Sequence, residues 1–409
     1  MNSYFGLRKT LPYETHFNSN NMLNIKEYNN SIILDLFDIF AYVFYADLNE
    51  TKDEHSGLVV EIEISVENIN TFLGKEYKFE ELIHFAVGEE KWKIKFVKSE
   101  KEKKIVSNNP DTNTYIFNSI SLLSAGLDSL SGACKEIGRN NKTLFVTYRN
   151  RAEGTKTGNN FSYLSEISNN KVIKHVEIHK DSEIPVNRYT QRTRSLLFLA
   201  CALLYADYYG VKEIKIYENG IMSQNPSFDE RRGVTKTTHP KTLYMFNEIL
   251  HSVDVDIKAV NPYQFYTKGQ VINEIPAEYR IIIKQTRTCS KSAGITHFAG
   301  LKEDKRNCGV CIACTLRKIG IKYFDLDDYD ANYYFDDIQI ANASSKRYML
   351  HQEKSLKEYY MRFNKEIKSG RIFIYLEGIE EKYYSSTEYL HCLKEMLNQF
   401  SLELEKYYE

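Results

Sequence analysis

Ile120-Ser-Leu-Leu123 runs directly into Ser124-Ala-Gly-Leu-Asp-Ser129, and a helical pattern follows from Ser129 to Gly138. A short run buried on both faces, then a turn of small residues, then a helix, is how a parallel α/β unit opens. The grammar repeats downstream. Thr143-Leu-Phe-Val-Thr-Tyr148 reads as a second buried strand and Arg194 to Tyr209 as a long apolar helix closed by Gly210. Glu213-Ile-Lys-Ile-Tyr217 reads as a third strand. This alternation predicts an α/β fold, a parallel sheet with helices on both faces.

The chain has 409 residues, enough for two or three domains. Residues 1–117 are expected to form a β-rich α+β domain, with strands over Gly57–Val66 and Lys91–Val97. Ser31 to Tyr45 is apolar enough for either a helix or a long strand. The charge run Lys98–Lys104 reads as a solvated turn. Residues 118–325 form the α/β core. Within it Gly154–Asn160 and Ser223–Ser227 read as long polar loops near the upper edge of the sheet. Residues 326–409 read as helical, with Leu390, Leu393, Met396, Leu397 and Phe400 at helical spacing. Lys and Arg total 54 against 55 Asp and Glu, a balance that argues against a dedicated nucleic-acid binder. No apolar run approaches the roughly 18 residues of a membrane helix. The first residues show no secretory leader. A cytoplasmic chain without a membrane partner is expected.

The turn Ser124–Ser129 sits where backbone N–H groups and the positive end of a helix favour an anion. Ser124 and Ser129 add hydroxyls, and small residues let a phosphate approach. The turn lacks the Gly-Lys-Ser/Thr ending of a Walker A loop and the GxGxxG of dinucleotide folds. The same residues also suit a plain helix start capped by Asp128 and Ser129.

The second cluster is Cys289 with Cys308-Gly-Val-Cys311-Ile-Ala-Cys314. Four thiolates enclose a Zn²⁺ tetrahedrally, and CGxCxxC supplies three ligands from one turn and the start of a helix. Cys289 would close the shell across the intervening loop. A redox or catalytic thiol is the alternative. A closed shell has no open position, so the metal is structural. Cys134 and Cys201 lie in apolar helical contexts and are expected in the core. His297 reads as a surface histidine.

The turn resembles the SGGxDS signature of the PP-loop ATP pyrophosphatases, with Ala125 in place of the first glycine. Alanine fits only if φ there is negative. Turn and cysteine cluster together, with Leu316-Arg317 after the latter, resemble the 7-cyano-7-deazaguanine synthase (QueC) family over residues 118–325. Arg194-Ser-Leu-Leu-Phe-Leu-Ala200, Asn261–Lys268 and Thr288-Cys289-Ser290 are further landmarks. The resemblance implies a PP-loop fold with a zinc knob. It also implies ATP and Mg²⁺ as cofactors beside structural Zn²⁺, and adenylation of a deazapurine carboxylate that passes to an amine. Residue by residue it implies that Ser124, Ala125, Gly126, Leu127 and Ser129 hold phosphate. Asp128 would fix the turn or assist Mg²⁺. Arg194 and Lys268 would neutralise phosphate or carboxylate, and Tyr148 and Arg149 would border the adenosine. Arg231, Arg232 and His239 would face the substrate. The family's loop after the third strand is replaced here by Tyr217–Ser227, which leaves the acceptor open. QueC-like proteins with extra terminal segments resemble those of anti-phage systems such as Qat and type IV CBASS, which implies a protein amine or ammonia as acceptor and a protein partner. An inactive scaffold in such a complex, or a PP-loop enzyme modifying tRNA or a nucleobase, are the other readings.

Overall fold

Five parallel strands form the centre of the protein, seen in a computed structural model that describes residues 27–49, 59–87, 91–106, 115–139, 141–149, 154–167, 173–179, 192–226, 236–289, 307–336, 343–377 and 386–409. Ahead of the sheet come β1 (Glu27–Tyr28), α1 (Ser31–Asn49), β2 (Val59–Val66), α2 (Glu76–Val87), β3 (Lys91–Lys98) and β4 (Ile105–Val106). The core then runs β5 (Ser119–Leu122), α3 (Leu127–Gly138), β6 (Thr143–Arg149), α4 (Gly154–Ile167), β7 (Ile173–His179), α5 (Arg194–Tyr208), β8 (Glu213–Lys215), α6 (Gly220–Gln224), α7 (Pro240–Ser252), β9 (Lys258–Val260) and α8 (Lys268–Asn273). After a 3₁₀ segment over Ala277–Gln285 come α9 (Ile312–Tyr323), α10 (Ala343–Lys368) and α11 (Ser386–Tyr408).

The sheet order is β7-β6-β5-β8-β9, every pair parallel. Successive strands step one way from β5 to β7, and the chain then crosses back to add β8 and β9 on the other side of β5. The switch point lies between β5 and β8, and the carboxyl ends of the strands at such a point are where open parallel sheets bind their ligands. The expected parallel α/β architecture is what forms.

Residues 31–45 resolve as a helix. Ile33, Leu34, Leu36, Phe37, Ile39 and Phe40 are all buried, so α1 is covered on every side, as an apolar helix must be. It packs against α5, itself buried from Leu196 through Ala206 except at the half-buried Phe198. The two β-like runs of the first segment pair in parallel as β2 and β3, with α2 between them in the chain. Their side chains belong to the same continuous core as α1, α5, β5, β6 and β8. At the other end α11 packs on α9 and α10 around Leu393, Met396, Leu397 and Phe400.

Three expectations are corrected. Gly154–Asn160 is the first half of α4, not a loop. The apolar positions Phe161, Leu164 and Ile167 dock against α3 and β6 residues and extend a helix back through the polar stretch. Ser223 and Gln224 belong to the short helix α6, capped by Asn219, whose Oδ1 accepts from the Met222 N–H at 3.1 Å. The charge run is not wholly solvated. Lys103 is fully buried, its ammonium 2.7 Å from Asp35 and 2.5 Å from Asp38 on α1. Burial opposes that charge, but Asp38 and Asp35 together hold its pKa above the ordinary lysine value. Asp35 also accepts from the Glu67 and Asn68 N–H groups at 2.8 Å each. The pair thus pins α1 to the end of β2.

Lys103→Met leaves two buried carboxylates without their counter-charge. Removing one member of such a group costs about 3–5 kcal/mol, so the variant should melt well below the wild type in calorimetry, whereas Lys101→Met on the exposed part of the run should not.

Candidate active site

β5 delivers the turn to the carboxyl edge of the sheet. Leu123 N–H donates to Val146 O at 2.9 Å, and the Thr147 hydroxyl donates to Leu123 O at 2.7 Å, so the strand end is held from β6. The backbone then turns at Gly126, the N-cap of α3. Ala125 is absent from the positive-φ residues of the chain, so its methyl fits where the signature has glycine. The Ser124 and Ser129 hydroxyls lie 2.9 Å apart. Ser129 Oγ accepts from Ser124 N–H at 3.1 Å, and Ser124 Oγ accepts from Gly126 N–H at 3.1 Å. Leu127 turns its side chain into the core beside Leu123 and Leu130. The first amides of α3 have no intrahelical acceptor, the usual state of a helix start.

Asp128 is the centre of the cluster. Its Oδ1 is 2.7 Å from the Lys268 ammonium, and both side chains are over nine-tenths buried. Its Oδ2 accepts from Asn219 Nδ2 at 2.9 Å. Glu218 also hydrogen-bonds to Asp128. Burial works against the Asp128 charge, but Lys268 and these hydrogen bonds hold its pKa below the usual carboxylate value. Burial and the neighbouring Asp128 charge push Glu218 well above that range, so Glu218 is the member of the pair that keeps a proton. Asn261 fixes this loop, accepting from Glu218 N–H at 3.2 Å and donating to Glu218 O at 2.8 Å. The cluster therefore joins the ends of β5 and β8, the two strands at the switch point, with the start of α8.

Glu218 and Asn219 were not among the residues singled out from the sequence, and Asn261 was noted only as the first residue of a landmark segment, without a role. The available signal was a Glu-Asn pair directly after the third core strand. Asp128 and Lys268 were singled out separately, and the fold brings them into contact. Arg194 begins α5, whose N-terminus lies at the same edge, and its guanidinium sits 5.6 Å from the Phe198 ring centre. Tyr148 and Arg149 end β6 opposite Ile178 and His179 of β7. Their side chains, like Arg231, Arg232 and His297 entirely, lie outside the described residues. His239 has a structural task. It is fully buried as the N-cap of α7, its Nδ1 accepts from Lys241 N–H at 3.0 Å, and its ring meets Phe85 of α2 edge-on. Burial first, then Lys236, pushes its pKa down to about 3, so it stays neutral.

Cys289, Cys308, Cys311 and Cys314 are all buried, with their sulfurs within 4.8 Å of one another. The Cys308–Cys314 and Cys289–Cys311 separations are both 3.9 Å. A tetrahedron with Zn–S bonds of ~2.3 Å has edges of about 3.8 Å, so the donors fit zinc. Gly309 at φ +81° makes the knuckle, and Val310 N–H donates to Cys308 Sγ at 3.4 Å. Cys311 caps α9 and Cys314 lies in its first turn. Cys134 and Cys201 are core residues, as expected. The cysteine cluster is tied to the site. Arg287 N–H donates to Ala125 O at 2.9 Å, and buried Arg317 donates to Thr286 Oγ1 at 2.8 Å and pairs with Asp330 at 2.7 Å.

Residues 118–325, just over half of the chain, match the family described as "Queuosine biosynthesis protein QueC". No curated protein matches the chain. Among the described residues no helix is long and apolar enough to cross a membrane.

Replacing any one of the four cysteines by serine should release about one equivalent of zinc and lower the melting temperature, since the energy of metal binding is folding energy. Metal analysis and melting of the four variants check this, and unchanged melting without metal would defeat it.

Proposed function

The chain belongs to the family of the queuosine biosynthesis protein QueC, and on that premise we propose that it is an ATP-dependent ligase that forms a C–N bond. In this reading a carboxylate oxygen of the substrate attacks the α-phosphorus of ATP and pyrophosphate leaves. An amine then attacks the acyl carbon and AMP leaves. Adenylation removes the two obstacles a carboxylate presents: the charge that repels a nucleophile, and oxide as leaving group.

The observation that carries the reading is the buried Lys268–Asp128 pair beside the start of α3, at the switch point of the sheet. The amides of the turn and the hydroxyls of Ser124 and Ser129 would receive a phosphate. Lys268, already stripped of water, would supply the positive charge that the transition state requires. Asp128 keeps that ammonium aimed until the phosphate competes for it. Mg²⁺, which accompanies ATP and neutralises its charge, would be met by Asp128, and by Glu218 once it gives up its proton. Arg194 would act on phosphate or carboxylate from the start of α5. Zinc in the four-thiolate shell would stay structural.

The substrate is a 7-carboxy-7-deazaguanine or a relative, and the product an amide or, after a second activation, a nitrile. Arg231 and Arg232 would recognise it, as the family resemblance implies. The acceptor is ammonia or a protein amine. Extensive chain outside the family match supports the second, with the protein acting beside a partner in anti-phage defence.

Asp128→Ala and Ser129→Ala should each lower ATP turnover at least tenfold with normal zinc content, since one lost transition-state contact to the phosphate costs about 2.7–4 kcal/mol. AMP and pyrophosphate, measured with and without a deazapurine carboxylate, identify adenylation. Mass spectrometry of candidate partners reads the acceptor. A chain that forms no AMP under any of these conditions is the inactive scaffold instead.

A further inference from the structure

Glu403 lies on α11, outside the residues matched to the family, yet it is fully buried against the helix that carries Lys268. Its Oε1 accepts from the hydroxyl of Thr267 and from Gln399 Nε2 at 3.3 Å. The Gly269 N–H also donates to the carboxylate. Its Oε2 has no hydrogen-bond partner.

Thr267 and Gly269 flank Lys268, the first residue of α8. Thr267 caps that helix: its Oγ1 accepts from Gln270 N–H at 3.0 Å, and the Gln270 side chain accepts from Thr267 N–H at 2.9 Å. The hydroxyl proton that Thr267 has left goes to Glu403. The residue before Lys268 and the residue after it are therefore both fastened to one carboxylate. Movement away is blocked from behind, because a Cβ on Gly320 of α9 would fall 2.6 Å from Gly269 Cα. α11 also grips the loop that brings Asn219 to Asp128. Met396 lies against Gly220, and Tyr389 OH accepts from Gln224 Nε2 at 2.5 Å. One helix thus braces two of the three elements that meet at Asp128.

A carboxyl with an unpartnered oxygen in a dry interior is costly. Burial raises its pKa to about 7 even against the help of Thr267 and Gln399. A leucine would fill the space at lower cost if packing were the whole task, so the carboxyl answers to something other than stability.

We propose that Glu403 is a positioning residue for Lys268, through which the C-terminal helix sets the reactivity of the site. The proposal rests on the reading of Lys268 as the cation that meets phosphate, but the hold on Lys268 is measurable without turnover.

The test uses the full-length protein with Glu403→Ala, Glu403→Gln, Lys268→Ala and the Lys268→Ala/Glu403→Ala double variant. Three quantities are read: kcat and KM for ATP, the acetylation rate of Lys268 by acetic anhydride from peptide masses, and the melting temperature. Glu403→Ala should lower kcat about 10–100-fold, with the KM for ATP changed less than about twofold, because misplacing a catalytic group costs rate. Lys268 should acetylate several times faster in that variant. Glu403→Gln keeps the Oε1 acceptor and should stay within about threefold of wild type in both quantities. In the double variant Glu403→Ala should add no loss of kcat to that of Lys268→Ala. Should Glu403→Ala fail to fold, Glu403→Asp, which withdraws the acceptor by one methylene, carries the same expectations. A lower melting temperature with unchanged kcat and unchanged Lys268 acetylation overturns the proposal, as does a loss of kcat that multiplies with that of Lys268→Ala. Faster acetylation in Glu403→Ala with no effect of Lys268→Ala on turnover leaves the positioning standing and removes the adenylation reading instead.

Discussion

The ion pair between Lys268 and Asp128 is the contact on which the rest of the site depends. Both groups are out of water, and desolvating two charges costs several kcal/mol that their attraction recovers only in good geometry. The geometry is good because nothing on the carboxylate is left over. Lys268 takes Oδ1, Asn219 takes Oδ2, and Glu218 contributes its proton. The pair draws together a helix start after β5, a loop after β8 and the first residue of α8. Those are segments far apart in the chain, and the switch point between β5 and β8 makes their meeting possible.

The cysteine cluster belongs to the same construction. The residues just before Cys289 and those just after Cys314 reach the turn after β5 and the start of α8. Arg287 reaches Ala125 from one side, and Gly320 reaches Gly269 from the other. Arg317 closes the frame between α9 and the residues before Cys289 with four hydrogen bonds, and a fifth goes to Asp330. A closed four-thiolate shell has no chemistry of its own to contribute. Its contribution is that the backbone on both sides of the crevice is fixed to a common point.

What was legible in the sequence is what depends on near neighbours. Ile120–Ser129 announced strand, turn and helix, and the four cysteines announced their cluster by spacing. Asp128 and Lys268 were each found, but not their contact, because 140 residues separate them and pairing across that distance has no local trace. Glu218 was missed for the same reason. Its proton is a consequence of Asp128, not of the residues beside it. Lys103 was taken for one more solvated lysine because its partners Asp35 and Asp38 are two charges in an apolar helix far upstream. Gly154–Asn160 misled in the opposite direction. Its polar composition is that of a loop, and the packing of Phe161 and Leu164 overrides it.

The terminal segments solve one problem twice. Two helices of the family core begin with a cation: α5 with Arg194 and α8 with Lys268. Each is preceded by a threonine N-cap, Thr193 and Thr267. Each threonine donates its hydroxyl to a buried carboxylate that comes from outside residues 118–325. Asp47 on α1 accepts from Thr193 Oγ1 at 3.2 Å and from Thr193 N–H at 3.0 Å, and it binds Arg192 at 2.9 Å as well. Glu403 on α11 accepts from the Thr267 hydroxyl. A long side chain at a helix start is aimed by the backbone of that first turn, and a first turn frays unless its cap is tied down. The carboxylates tie both caps to rigid helices. The segments at the two ends of the chain are therefore part of the frame of the crevice. A core cut back to residues 118–325 would lose the anchor at both helix starts. It would also bare Ile221, Leu316 and Ile319, which α10 and α11 now cover.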